Sequence, residues 1–498
     1  MDRVPAFMGV DAGTSGCKAV VVADDGRVLS DATETYDTVR GSNGEVTQDA
    51  RTWETATRVA MARALVAAGD ITIEGISVTA PAHNVVLLDE SGAPLNEVML
   101  WSDRRPTRVA EQLRDELGVQ FFERTFVDLS AAWSLPQLVW LRRNRPDFWS
   151  RVRWVLPGKD YIRYAMTGVA ATDPSDAAGT AMYDQRNGSW LEGIDREVGL
   201  AQHVLPRVMS ATDIVGGLDR NWALSIGLPE GTPVAVGATD TAAELVSVDA
   251  TRVSQGIVKV ASTGTIVAVS DRPVPHRRLL TYPHAVAGRW YTLAATNTAA
   301  TSRKWLAEAV LGQSGSDLDA LDRDVRNLAP GAHGLLFLPF LDGERSPLWD
   351  PHSRGAFLGL RGHHDARHLY RAVLEGVACS LRSCQQLLGD CGLRVREPAL
   401  TGGGLSNPLW REIIVAVLGQ PASYASPVGP AVGAARIAAM AVGSRGLGVE
   451  TANSTQCETV LPDPSWQRAY DELYATYELA VERTRDISHR LEIHDANE

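Results

Sequence analysis

Three short runs of small hydroxyl and glycine residues, each following an apolar stretch, hold the residue types that phosphate recognition needs. The first, Asp11-Ala12-Gly13-Thr14-Ser15-Gly16-Cys17-Lys18, sets a carboxylate directly before a tip where Thr14 and Ser15 offer hydroxyls and the glycines let backbone amides face one centre. Lys18 adds a point charge two residues past the last glycine. The second, Ala261-Ser262-Thr263-Gly264-Thr265, repeats that chemistry. In the third, Gly402, Gly403 and Gly404 precede Asn407 and an apolar helix over residues 410–418, so a flat ligand or a phosphate could lie on backbone at a helix N-terminus. Asp240 follows the apolar run 233–238 and opens a helix, where the positive helix end keeps a carboxylate ionised, as a proton acceptor must be. Each feature also has a plain structural use: the glycines in tight turns, and Asp240 as a helix N-cap worth about 1 kcal/mol. Spacing excludes two familiar nucleotide motifs. Cys17 separates Gly16 from Lys18, which breaks GxxxxGK[ST], and no tip reads GxGxxG.

These residues need elements to hold them. Residues 7–10 and 19–23 read as two strands of a hairpin whose tip is the first run, followed by a helix from about residue 52 and strands at 73–80, 85–88 and 98–101. Residues 257–260 and 266–269 repeat the strand, tip, strand order around the second run. The separation matches the size of one α/β domain, so we read a duplication with its junction near 244–254, giving domains 1–246 and 247–498, against the simpler reading of two unrelated hairpins.

The 498 residues are too many for one core, and 45% apolar with 22% charged residues is an ordinary globular composition. With 48 basic against 60 acidic residues, net −12, the chain lacks the basic field that nucleic acid or an anionic membrane requires, so neither is expected as a partner. No apolar run approaches a membrane span, and the N-terminus has no secretion-signal pattern. The five cysteines match neither a zinc motif nor a disulfide framework, which suits a reducing cytoplasm. Lysine occurs only at 18, 159, 259 and 304, a bias read as codon usage. His364 and His368, four apart without the accompanying glutamate, read as a solvated helix face rather than a metal site. Trp140, Trp149, Trp154, Tyr161 and Tyr164 read as packing.

Taken in order along the chain, these residues resemble the FGGY carbohydrate kinases. The resemblance rests on 9–16, on Leu100-Trp101-Ser102-Asp103-Arg104-Arg105, on 156–161, on 173–180, on 338–347, on 355–360 with 368–375, and on 429–436. It covers nearly the whole chain and points, within the family, to the branch acting on D-xylulose. It implies two duplicated actin-like (ribonuclease-H-like) α/β domains around a central cleft, sugar mainly on the first and ATP mainly on the second. It also implies a homodimer and ATP-dependent phosphorylation of a small ketose or polyol. The implied roles are Asp240 as base; His83, Trp101, Asp103, Arg104 and Thr241 with Asp240 on the sugar; Asp11 on Mg²⁺; Thr14, Ser15, Lys18, Gly264 and Thr265 on phosphate; and Gly403, Gly404 and Asn407 on the adenosine. Such transfer needs positioning, charge neutralisation and a proton acceptor. The sugar end departs from the family pattern. Ala80-Pro81-Ala82-His83-Asn84 stands for Gly-Gln-Met-His-Gly, Ser102 for Asn, and Asp240-Thr241 for Asp-Asn, so a different set of sugar hydroxyls is expected to be satisfied. An actin- or Hsp70-like ATPase module is the remote alternative, and it predicts ATP hydrolysis without sugar.

Overall fold

The computed structural model describes residues 3–199, 203–313, 316–426, 428–447 and 457–495. Its first sheet is built on β1 (Val4–Ala12), β2 (Gly16–Ala23), β3 (Val28–Thr35) and β4 (Ile71–Thr79), joined by β5 (Ile214–Gly217) and β6 (Pro233–Ala235) in the order β5-β6-β4-β1-β2-β3. The strands β1, β2 and β3 pair antiparallel with one another, whereas β4 and β6 add in parallel beyond β1. Parallel strands covered on both faces need near-continuous apolar runs, and residues 6–10 of β1 are buried throughout.

The second sheet repeats the plan with β7 (Gly256–Val260), β8 (Gly264–Ser270), β9 (Leu280–Pro283), β10 (Trp290–Ala295), β11 (Ala399–Thr401), β12 (Ala422–Ala425) and β13 (Cys457–Val460). Its order is β9-β10-β8-β7-β11-β12-β13. The antiparallel β10-β8-β7 again continues into parallel β11 and β12, and the antiparallel β13 matches β5. Only β9 is extra. The same sheet built twice, strand for strand, bears out the duplicated architecture; two unrelated hairpins would not share six positions.

The helices that matter for the site are α1 (Ala50–Ala68), α2 (Pro174–Gly179), α3 (Asp240–Ser247), α4 (Ala366–Asp390), α5 (Pro408–Leu418) and α6 (Pro430–Ala441). Although α6 lies late in the chain, it packs on the first sheet, where Ala431, Ala435 and Ala438 cover Phe7, Val20 and Val22. Small residues make the approach close enough that a Cβ on Gly9 would lie 1.8 Å from the Ala431 carbonyl oxygen, and one on Gly433 would lie 1.7 Å from the Ala243 oxygen of α3. Proline at its first turn pre-sets the helix.

The expected helix at 52 begins at Ala50, capped by Asp49, and the strands at 73–80, 85–88 and 98–101 appear within one or two residues of their expected limits. The histidine reading needs correction. His364 precedes α4, so the two do not share a helix face, and His368 is buried in a capping box with Asp365. Among the described residues no group of three or more histidine, cysteine, aspartate or glutamate side chains could hold a metal, and no helix is long and apolar enough to cross a membrane.

Candidate active site

A cavity of about 370 Å³ lies where the two halves meet. Thr14, His83, Trp101, Asp240 and Thr241 reach it from the first half, and Thr265 from the second, so the structure gathers six of the expected residues. Asp240 is the first residue of α3. Thr239 holds the cap position, so the plain N-cap reading of Asp240 does not apply. The Asp240 backbone N–H donates to the Ala80 carbonyl at 3.0 Å, and its Oδ1 accepts from the Thr241 backbone at 2.6 Å. Burial pushes its carboxyl above the usual range, with Glu244 adding to the rise, while the Lys259 charge and the Thr241 bonds oppose it.

Asp11 stands one residue before the end of β1. Burial, and then the Asp240 charge, push its carboxyl up to about 7, against the pull of Lys259 and Lys18. A carboxyl raised in this way binds its proton more tightly folded than unfolded, so its contribution to stability is full below the unfolded value near 3.8 and is lost as pH rises through about 7. In nucleotide-free protein with EDTA, Asp11→Asn should therefore raise the melting temperature at pH 8 and have little effect at pH 4. A melting temperature unchanged at pH 8 would count against this electrostatic account.

His83 sits at the turn after β4 with φ +75°, a left-handed conformation that is costly for a side-chain-bearing residue and clusters at functional sites. The Gly179 carbonyl, 3.0 Å from Nδ1, can only accept, so Nδ1 carries the proton. Nε2 is then an acceptor, and the Tyr282 hydroxyl of β9 donates to it at 3.2 Å. Burial lowers the imidazole to about 4, which keeps it neutral. Trp133 closes against its edge at 4.4 Å.

A buried charge network fixes this corner. Lys159 contacts Asp160, Asp173 and Asp176 at 2.6, 3.0 and 3.1 Å with no side-chain exposure. Asp173 caps α2 and takes both the N–H and the hydroxyl of Ser175. Ser175 Oγ in turn accepts the Thr239 N–H at 3.1 Å, one residue before Asp240, while Gly179 at the other end of α2 holds His83. One short helix thus sets both the imidazole and the start of α3.

The remaining expected residues fall elsewhere. Asp103 is buried, but its carboxylate takes the Val46 N–H at 2.9 Å and the Arg105 guanidinium at 2.7 Å, which makes it a strut beneath the Trp101 strip rather than a group facing the cavity. Arg104 is exposed outside the cavity lining. Lys18 pairs with Asp31 at 3.2 Å on the solvent side of β2. Ser15 lies on the exposed first tip, and Gly264 is buried, with its N–H bonded to Thr296 Oγ1 at 3.0 Å. At the third tip Gly403 has open space where a Cβ would be, Gly404 packs on Val260, and Asn407 caps α5 while donating to Asp322 at 2.7 Å. The tip lies beside the second hairpin, outside the cavity lining.

Sequence reasoning missed Tyr282, Arg345, Lys259 and Glu244. Arg345 enters the cavity from the strip at 338–347, 6.0 Å from the Trp101 ring centroid, with its Nε buried and without a partner. Lys259 of β7 reaches across to Glu244 of α3 at 2.6 Å. The lysine bias, set aside as codon usage, was the available signal: two of the four lysines, Lys159 and Lys259, sit in carboxylate clusters.

This architecture is that of the ATP-dependent sugar phosphotransferases. The model of the FGGY carbohydrate kinase N-terminal domain matches residues 6–247, and that of the C-terminal domain matches residues 258–442. The chain belongs to the FGGY family of carbohydrate kinases. It is 30% identical to the xylulose kinase of Escherichia coli strain K12 over 480 residues, covering 95% of this chain and 97% of that one. It is also 28% identical to the xylulose kinase of Lactococcus lactis over 97% of this chain and 98% of the relative. The crystal structure of a kinase from Brucella ovis, titled as a xyloylose kinase, superposes with a TM-score of 0.89 at 29% identity, covering 97% of this chain and all of that one.

Proposed function

We propose that the protein transfers the γ-phosphoryl group of ATP to D-xylulose, giving D-xylulose 5-phosphate and ADP. The observation that carries this reading is the convergence of Asp240 and the neutral His83 on one cavity that also takes hydroxyl-bearing tips from both halves. Relatives named as xylulose kinases, aligned over nearly the whole chain, support the choice of sugar.

In this reading Asp240 accepts the proton of the attacking hydroxyl. When the sugar enters, His83 Nε2 exchanges the Tyr282 hydroxyl for a sugar hydroxyl, Trp101 flanks the sugar and Thr241 orients Asp240. Thr14, Ser15 and Thr265 serve the phosphates, and Gly403 the adenosine. Asp11 fits Mg²⁺: it is an oxygen donor, as a hard cation prefers, and a cation beside it relieves the repulsion with Asp240 that helps raise its carboxyl. Mg²⁺ there would neutralise charge on the phosphate oxygens. The free cysteines, three of them buried, fit a reducing cytoplasm.

Replacing His83 by alanine removes the acceptor and should raise the KM for the sugar about 10- to 100-fold with a smaller fall in kcat, measured by steady-state kinetics. A KM for ATP shifted as strongly would place His83 elsewhere in the cycle. The reading as a whole is tested by ADP release from Mg-ATP against D- and L-pentuloses, tetruloses, hexuloses, glycerol and polyols, with a sugar-free control. D-xylulose should give the highest kcat/KM. A different best sugar would reassign the substrate, and ADP release independent of sugar would point to an ATPase module.

A further inference from the structure

Lys259 and Asp11 occupy equivalent places in the duplicated hairpins. Each is the last residue but one of its strand, β7 or β1, directly before a tip of small hydroxyl residues. One copy therefore carries a carboxylate where the other carries an ammonium. Lys259 lines the cavity with its side chain 24% exposed, and its Nζ donates to Glu244 Oε2 at 2.6 Å. Glu244, 3% exposed, lies one helical turn after Asp240 on the same face of α3.

A pair buried this deeply costs desolvation, and two well-packed apolar residues would serve a purely structural contact at least as well. An ammonium has three donors, and Glu244 takes one, leaving two for oxygens arriving in the cavity. ATP must also enter a cavity that Asp240 and Glu244 line with carboxyl groups, with the Asp11 carboxyl close enough behind them to feel both. Among the described residues lining the cavity, the lysine and arginine side chains are Lys259 and Arg345, and Arg345 stands at the Trp101 end. Lys18 faces Asp31 outside. The three carboxyl groups also hold the Lys259 ammonium well in its charged form.

We propose that Lys259 is a catalytic residue that contacts the transferring phosphoryl group, aimed by Glu244. The inference rests on the kinase reading of this cavity. In the step, the bond from the sugar oxygen to the γ-phosphorus forms as the bond from that phosphorus to the bridging oxygen of ADP breaks. The hydroxyl proton goes to Asp240, and Lys259 keeps all of its protons while its charge offsets that building on the equatorial oxygens.

The test compares Lys259→Met, Lys259→Arg and the double variant E244Q/K259M in the full chain. Steady-state kinetics are measured beside binding of Mg-ADP with and without fluoroaluminate, a mimic of the transferring phosphoryl. Lys259→Met should lose about 100-fold or more in kcat while the KM for the sugar moves less than about 3-fold. It should bind Mg-ADP normally but lose the added affinity given by fluoroaluminate. Lys259→Arg should recover part of both losses, and the double variant should be as impaired as Lys259→Met. If Lys259→Met fails to fold, the charge-free double variant gives the answer alone. Recovery of kcat in the double variant would overturn the proposal, because the harm would then come from an unpaired Glu244. Wild-type fluoroaluminate affinity in Lys259→Met would overturn it as well. Failure of the wild-type protein to phosphorylate any sugar would instead overturn the substrate reading, and the fluoroaluminate comparison would still decide the role of Lys259.

Discussion

Asp240→Asn should fold, bind ATP as the wild type does, and phosphorylate sugar about 100- to 10,000-fold more slowly, the span expected when a positioned general base is removed. The substitution is isosteric. The amide oxygen can still accept from the Thr241 N–H, and the backbone bond to Ala80 is untouched, so the start of α3 stays where it is. What disappears is an acceptor for the hydroxyl proton. The same change removes one of the negative charges that raise the Asp11 carboxyl, so the variant should be at least as thermally stable as the wild type in nucleotide-free protein at pH 8. Because burial raises the Asp240 carboxyl, wild-type kcat should climb with pH as that group loses its proton and then level off. Activity within about 10-fold of wild type in Asp240→Asn would assign the base to another group.

Gly433→Val carries the largest expected effect on the fold. A Cβ at 433 would lie 1.7 Å from the Ala243 oxygen and 2.4 Å from its carbonyl carbon, and both are helix backbone that cannot swing aside. Either α6 lifts from the first sheet or α3 moves, and α3 carries Asp240 and Glu244. We expect a loss of about 4 kcal/mol or more, seen as insoluble protein or a melting temperature lowered by about 10 °C or more. Gly9→Ala should behave similarly at a second close contact of α6, with β1, where the Ala431 oxygen would be 1.8 Å away. Gly403→Ala is the contrast. With open space at its Cβ it should leave stability unchanged, and a destabilised Gly403→Ala would mean that the close helix packing is not what sets these glycines apart.

The parts of the site that could be read from the sequence were those whose chemistry is local. A hydroxyl-and-glycine tip between two strands, or an aspartate at a helix start, is specified within a few neighbouring residues, and Thr14, Thr265 and Asp240 all reach the cavity. Residues whose role depends on a distant partner were not legible. Asp103 looked available until the fold supplied Arg105 and the Val46 N–H, which occupy its carboxylate. Tyr282 and Lys259 face His83 and Glu244 only because the two halves meet at the cavity, a relation that no local spacing encodes. Similarly, the run of alanines and glycines in α6 reads as a generic helix until Gly9 and Gly433 show that it is shaped to approach two other elements closely.

The docking of α6 also bears on how the chain is made. The strands β1 and β2 are among the first segments to leave the ribosome, yet Phe7, Val20 and Val22 are covered by alanines near residue 435. At typical synthesis rates the nascent strands wait roughly 20–80 s for that helix. During that time an apolar face of the first sheet stands open, and it closes only after most of the second sheet has been translated. The first half of this protein is thus first to be synthesised but not first to be finished, and a ribosome that stalls in the second half releases a chain with sticky, half-dressed strands at its beginning.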